Sequence, residues 1–154
     1  MLVSRLKRGV GMTAVAGALL LFALSAAAFS LGKYETVRAT GGVVSIPVAK
    51  LDDGKARFYH FEEGGKEIAF FAVKAPDGKY RTAFDACDVC YRGKKGYEQQ
   101  GEQMKCKNCN QKFATNRIGA DASGGCNPSY LPHQLRGGTL TINAADLKGG
   151  ARFF

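Results

Sequence analysis

Cys87-x-x-Cys90 and Cys106-x-x-Cys109, with a fifth thiol in Gly124-Gly125-Cys126-Asn127-Pro128, place every cysteine of this chain within about forty residues. Two C-x-x-C pairs fifteen residues apart match the spacing by which a chain wraps four thiolates around one tetrahedral metal ion or a small iron-sulfur unit. Two residues between cysteines let the backbone turn tightly, so both sulfurs point to one centre and the turn amides can donate to them. Cys87, Cys90, Cys106 and Cys109 are therefore the candidate metal ligands. Cys126 is a fifth candidate, or a replacement for one of the four. Neither pair is followed by His, which excludes a c-type haem attachment.

The competing chemistry is sulfur-sulfur. A C-x-x-C disulfide is a small strained ring, more often redox-active than structural, and an exported domain permits it. Five cysteines cannot all pair, so one thiol would be left over.

The residue after Cys109 is Asn110, one of the few non-glycine types that tolerate a left-handed backbone, as the close of a metal knuckle requires. Tyr91 follows Cys90, so the first knuckle is expected to be the less regular one. Lys105, Lys107 and Lys112 surround the second pair, and positive charge there lowers thiol pKa and offsets a thiolate cluster.

The elements that must carry these loops read as short strands joined by turns. Gly42–Val48, Ala56–Phe61, Glu67–Lys74 and Tyr80–Phe84 are separated by Asp52-Asp53-Gly54, Glu63-Gly64-Gly65 and Pro76-Asp77-Gly78, each a turn signal. The pattern predicts an antiparallel meander with Phe58, Tyr59, Phe61, Phe70 and Phe71 as its core. Phe113, Thr139–Ile142 and the terminal Arg152-Phe153-Phe154 read as further strand pieces. Asn143 to Gly149 reads as one helical turn capped by Asn143. The expected fold class is mainly β: a small antiparallel β domain over residues 43–154 with cysteine-rich metal-binding loops.

Arg5, Lys7 and Arg8 precede an uncharged run from Gly9 to Gly32. As a helix that run is about 36 Å long, enough to cross a bilayer core of about 30 Å. Residues 1–32 are thus expected to be an N-terminal transmembrane anchor or a signal segment, and residues 33–42 a short stalk. The charge bias keeps the amino terminus in the cytoplasm. The expected protein is single-pass in the cytoplasmic (inner) membrane, its domain facing the periplasm or cell exterior. Ala26-Ala27-Ala28 offers a peptidase its small-residue pattern, and cleavage there would make the domain secreted. An exported chain without an adjacent arginine pair disfavours a cluster folded before export and favours a mononuclear site loaded afterwards.

With Arg5, Lys7 and Arg8 set aside, 19 of the 22 basic residues face 13 acidic ones, a net charge of +6. That balance fits an anionic membrane surface or an acidic partner, or is a solvated basic face. No nucleic-acid-binding signature is present. Ser-His-Asp order, a phosphate-cradling glycine loop, HExxH and paired glutamates are all absent, so hydrolase chemistry is unsupported. A metal-binding or electron-transfer protein is expected rather than a catalyst.

The block Asp85-Ala86-Cys87-Asp88-Val89-Cys90-Tyr91, Gly96-Tyr97, Met104-Lys105-Cys106, Cys109, Phe113, Asn116-Arg117-Ile118-Gly119 and Gly124-Gly125-Cys126-Asn127-Pro128 resembles the FtrD-like membrane iron-sulfur domain. Order, spacing and flanking residues agree over most of the chain after Gly42. The resemblance implies an iron or iron-sulfur centre in a membrane-associated protein that passes electrons during iron uptake. It also implies iron permease or ABC-type permease subunits and a thioredoxin-like reductant as partners. A Rieske-type centre does not fit, because both loops lack its two histidines.

Among the remaining residues, His60 lies in an expected strand between aromatics and reads as structural, and His133 as a second-layer candidate beyond Pro132. Met104 reads as core packing. Asp85 and Asp88 flank the first cysteine pair, where a carboxylate could tune the centre. Two other readings stay open: a thiol-disulfide redox protein, and a zinc-stapled interaction module of a transporter complex.

Overall fold

The computed structural model describes residues 32–122 and 125–154. The anchor expected over residues 1–32 lies, but for Gly32, outside them. Among the described residues no helix is long and apolar enough to cross a membrane.

Eleven strands are formed by the described residues: Tyr34–Val37 (β1), Val43–Pro47 (β2), Arg57–Glu63 (β3), Lys66–Lys74 (β4), Tyr80–Cys87 (β5), Tyr97–Gln100 (β6), Gln103–Cys106 (β7), Lys112–Ala114 (β8), Pro128–Tyr130 (β9), Gln134–Arg136 (β10) and Thr139–Asn143 (β11). One short helix, Ala144–Gly149 (α1), follows β11. The central sheet runs β1-β3-β4-β5-β9, with smaller sheets β10-β11-β2 and β6-β7-β8. Every pairing is antiparallel except β1 with β3.

The organising strand is β4. Its stretch Ile68-Ala69-Phe70-Phe71-Ala72-Val73 is buried throughout, as expected of a strand covered on both faces. Side chains alternate across a strand, so Ile68, Phe70 and Ala72 enter one core and Phe71 and Val73 another. The first core is completed by Val44 and Ile46 of β2, Leu140 and Ile142 of β11 and Leu147 of α1. The second contains Tyr97, Met104, Cys87, Cys106 and Cys126. One strand thereby supports a stabilising layer on one side and the cysteines on the other. Full burial of a Phe side chain stabilises by about 1.5–3 kcal/mol, so Phe71 is a principal tie between sheet and cysteines.

The mainly β expectation holds, with three departures. The first predicted strand does not join the meander: β2 pairs with β11, aligning Ile46 with Leu140 and Val44 with Ile142. Alternating Val and Ile specify which face is buried, and both faces of the core offer such a face. The segment expected as a stalk holds β1, which aligns Tyr34 with Phe58 and Val37 with Phe61. The terminal aromatics are not a strand. Gly150–Phe153 continues from α1 as a 3-10 turn, and Phe153 packs into the first core with its ring 5.7 Å from that of Phe84 and 5.6 Å from that of Tyr91.

Candidate metal centre

Each knuckle begins where a strand ends. Cys87 is the last residue of β5, and the amide of Cys90 donates to its Sγ at 2.8 Å. Cys106 is the last residue of β7, cross-strand from Tyr97. Its turn closes through Asn110, whose amide donates to the Cys106 carbonyl at 2.9 Å with φ 62°. The left-handed residue expected from the sequence is therefore present. The backbone amides of Cys109 and Asn108 also bond to the Cys106 sulfur. In the first knuckle the left-handed residue comes later, at Lys94 with φ 49°, after a 3-10 turn over Tyr91–Gly93.

Cys126 arrives from far along the chain. Pairing of β9 with β5 sets Pro128 opposite Cys87, and the Tyr97 hydroxyl donates to the Cys126 carbonyl at 2.6 Å. Its sulfur then lies 3.3 Å from that of Cys90.

The five thiols fall into two groups, Cys87/Cys90/Cys126 and Cys90/Cys106/Cys109, and within each group all sulfurs lie within 4.8 Å of one another. Cys90 belongs to both. Cys87, Cys106 and Cys126 are buried, whereas Cys90 and Cys109 are partly exposed. The cluster thus has a closed side against the second core and an open side toward solvent.

The local environment separates the thiols electrostatically. The Asn108 side chain, followed by Cys126, brings Cys90 down to about 7 from the usual 9.0. Burial pushes Cys106 up to about 11 although backbone amides oppose it. Hydrogen bonding to Cys109, then burial, raises Cys126 further.

A buried polar lock holds the frame. Asp85, two residues before Cys87, accepts from the Tyr97 amide at 2.6 Å, from Lys33 Nζ at 2.6 Å and from the Tyr34 hydroxyl at 2.5 Å. Gly96 allows this closeness, because a Cβ there would stand 2.6 Å from the Asp85 carboxylate, and its φ is +64°. Burial lowers the Lys33 pKa although its bond to Asp85 opposes the shift. Tyr97 therefore joins two fixed points: its amide is held by Asp85, and its hydroxyl holds Cys126.

Other sequence candidates take structural places. With three donors on its carboxylate, Asp85 is a positioning group, while Asp88 is exposed and accepts from the Ser129 hydroxyl at 2.8 Å. His60 stacks on Tyr34 at 3.9 Å between centroids. His133 contacts the Thr82 hydroxyl at 2.9 Å instead of a cysteine. Met104 is fully buried in the second core. Of the three lysines around the second pair, Lys105 is held by Glu98 at 3.1 Å, and Lys107 and Lys112 are exposed. Sequence reasoning missed Asn108 beside Cys90, and Lys33 and Tyr34 on Asp85. The only signal for the latter was the Asp-x-Cys spacing in front of the first knuckle.

Converging thiols with amides aimed at their sulfurs form a donor set suited to soft or borderline metals and to iron-sulfur units. Residues 51–154 match a family model described as membrane iron-sulfur containing protein, FtrD-like. No curated protein and no solved structure matches the chain. With the match spanning the whole cysteine block and the strands β3 to β11, the chain belongs to the FtrD-like family of membrane iron-sulfur containing proteins.

Proposed function

We propose that this protein holds iron, as a mononuclear or cluster centre, on Cys87, Cys90, Cys106 and Cys109 with Cys126 as a further thiolate. It serves one-electron transfer or metal handling linked to iron uptake. The observation that carries the reading is the sharing of Cys90 between two groups of sulfurs, each gathered within 4.8 Å. When bound, such a centre supplies reversible one-electron exchange. Cys87 and Cys106 anchor it to the ends of β5 and β7, and Cys90 and Cys109 bring it toward solvent. The Asp85 lock and Tyr97 keep the frame rigid, so the sulfurs need little reorganisation when charge changes. Zinc is the alternative ion, and would make the site a structural staple.

In this reading residues 1–32 anchor the domain at the outer face of the cytoplasmic membrane, with iron permease or ABC-type permease subunits as neighbours. Lys33, the first residue after the apolar run, bonds to Asp85 at 2.6 Å and to the Tyr97 carbonyl at 2.8 Å. These bonds favour a cysteine cluster held close to the point of membrane attachment.

A second reading draws on the 3.3 Å approach of the Cys90 and Cys126 sulfurs. A disulfide between these two sulfurs would be reduced by a thioredoxin-like dithiol, which gives up two electrons and two protons and itself becomes the disulfide. Purification without oxygen, followed by iron and acid-labile sulfide analysis, EPR and thiol counting, separates the possibilities. Stoichiometric iron with a reversible one-electron signal supports the leading reading. Metal-free protein with two exchangeable thiols supports the second, and stoichiometric zinc without a redox response supports the staple.

A further inference from the structure

Val89 sits at the tip of the Cys87–Cys90 turn with 66% of its surface exposed. Among the described residues only Leu135 is another large hydrophobic side chain so placed. The turn ends at Cys90, which with Cys109 is one of the two partly exposed cysteines.

Around Val89 basic groups outnumber the one neighbouring acid, exposed Asp88. Arg92, Lys94 and Lys95 follow in the same loop, and all three are exposed. Lys107 joins them from the second knuckle, because its neighbour Asn108 bonds to Cys90 and lies against Gly93, where a Cβ would stand 2.7 Å from Asn108 Oδ1. None of the four pairs with a carboxylate among the described residues. Of the nearby acids, Asp85 is paired with Lys33 and Glu98 with Lys105, while Asp88 accepts only the neutral Ser129 hydroxyl and keeps its charge, one acid against four bases.

We propose that this face docks an acidic protein, a one-electron carrier whose carboxylates ring a small apolar contact that covers Val89. The purpose of the surface rests on the redox reading above; its chemistry does not. Electrostatic complementarity steers such encounters and sets their rate. Weak redox complexes bury little area, under about 1,200 Å² in total, so a single valine within a basic collar is enough. An anionic membrane is the poorer match. It rewards a broad apolar face, which one valine does not provide.

The test is zero-length carbodiimide cross-linking of the full chain, in phosphatidylcholine nanodiscs, to an acidic ferredoxin used as probe, with the linked residues located by mass spectrometry. Cross-links are expected to concentrate on Lys94, Lys95 and Lys107 and to fall about tenfold at 0.5 M salt, where screening removes steering. Combined Lys94→Glu and Lys95→Glu, both outside the Cys106–Cys109 turn, lowers them to the share left at Lys107 at unchanged melting temperature and metal content, and Val89→Ser alone lowers their yield. Equal linkage at Lys50, Lys66 and Lys79 overturns the proposal. So does a charge-reversed variant that cross-links normally but no longer binds phosphatidylglycerol vesicles, since that outcome assigns the patch to the membrane. Cross-linking needs no metal, so iron-free protein that still links at these lysines sinks the iron reading alone. Iron-bearing protein that links elsewhere sinks the surface alone.

Discussion

The hydroxyl of Tyr97 donates a 2.6 Å hydrogen bond to the backbone carbonyl of Cys126. That one bond couples the fifth thiol to a residue whose own amide is fixed by buried Asp85. The position of Cys126 is therefore set by a side chain twenty-nine residues earlier.

Replacing Tyr97 by Phe keeps the ring in the second core and deletes this bond. A buried carbonyl left without a donor costs about 1–3 kcal/mol. Thermal melting is expected to drop accordingly, and metal content to fall, because Cys126 is no longer held against Cys90. Unchanged melting and metal content would show that the bond positions nothing.

Cys90 and Cys109 both lie on the open side, yet they are not equivalent. Cys90→Ser removes the sulfur common to both groups, whereas Cys109→Ser leaves Cys87, Cys90 and Cys126 together. Stoichiometric metal should be lost from the first variant and partly retained by the second. Metal analysis of the two proteins, purified side by side, gives the order, and the reverse order contradicts the shared-sulfur geometry.

Gly96→Ala and Gly65→Ala separate backbone strain from collision. Both residues have left-handed φ, +64° and +78°, but only at Gly96 would a Cβ meet something, the Asp85 carboxylate at 2.6 Å. Left-handed strain alone costs about 1–2 kcal/mol, and that is the expected loss for Gly65→Ala in urea unfolding. Gly96→Ala should lose more and also weaken metal retention. Equal losses would mean that Asp85 yields freely and is no lock.

Much of this could be read from the residues themselves, because it is local. Asn110 after Cys109 announced the left-handed close of the second knuckle, and Phe70 with Phe71 announced a strand in the core of the sheet. Partner choice was not local. Val44 and Ile46 show which face of β2 is buried but not that β11, almost a hundred residues later, covers it. Cys126 looked optional from spacing alone. Its place depends on the β5–β9 pairing and on Tyr97, contacts between distant parts of the chain. The carboxyl-terminal aromatics looked like a strand because Phe suits sheets. They follow α1 directly, though, and reach the first core by continuing to coil.

His133 gives a pH-dependent prediction outside the cysteine site. The Thr82 hydroxyl donates to the Leu131 carbonyl at 2.5 Å, which assigns the proton of the 2.9 Å Thr82–His133 contact to the ring Nδ1. Burial, the largest influence, and the charge of Arg81 lower the pKa of His133 below 6.5, while bonds to the Leu131 and Tyr80 carbonyls oppose the shift. The unfolded chain therefore takes up the proton first as pH falls. Stability is complete above pH 6.5 and declines below it until the lower folded-state pKa is passed. His133→Gln should flatten that part of a stability–pH profile measured by urea unfolding, and a slope that persists assigns it to other groups.

The central claim is that sulfur atoms from three separate chain segments surround a single iron centre. Iron K-edge X-ray absorption on protein purified without oxygen tests it most directly, by counting the neighbours of the metal. The expected result is stoichiometric iron whose nearest neighbours are all sulfur, with that count disturbed in Cys90→Ser. Iron bound only through oxygen and nitrogen, or five freely titrating thiols with no metal, would contradict it.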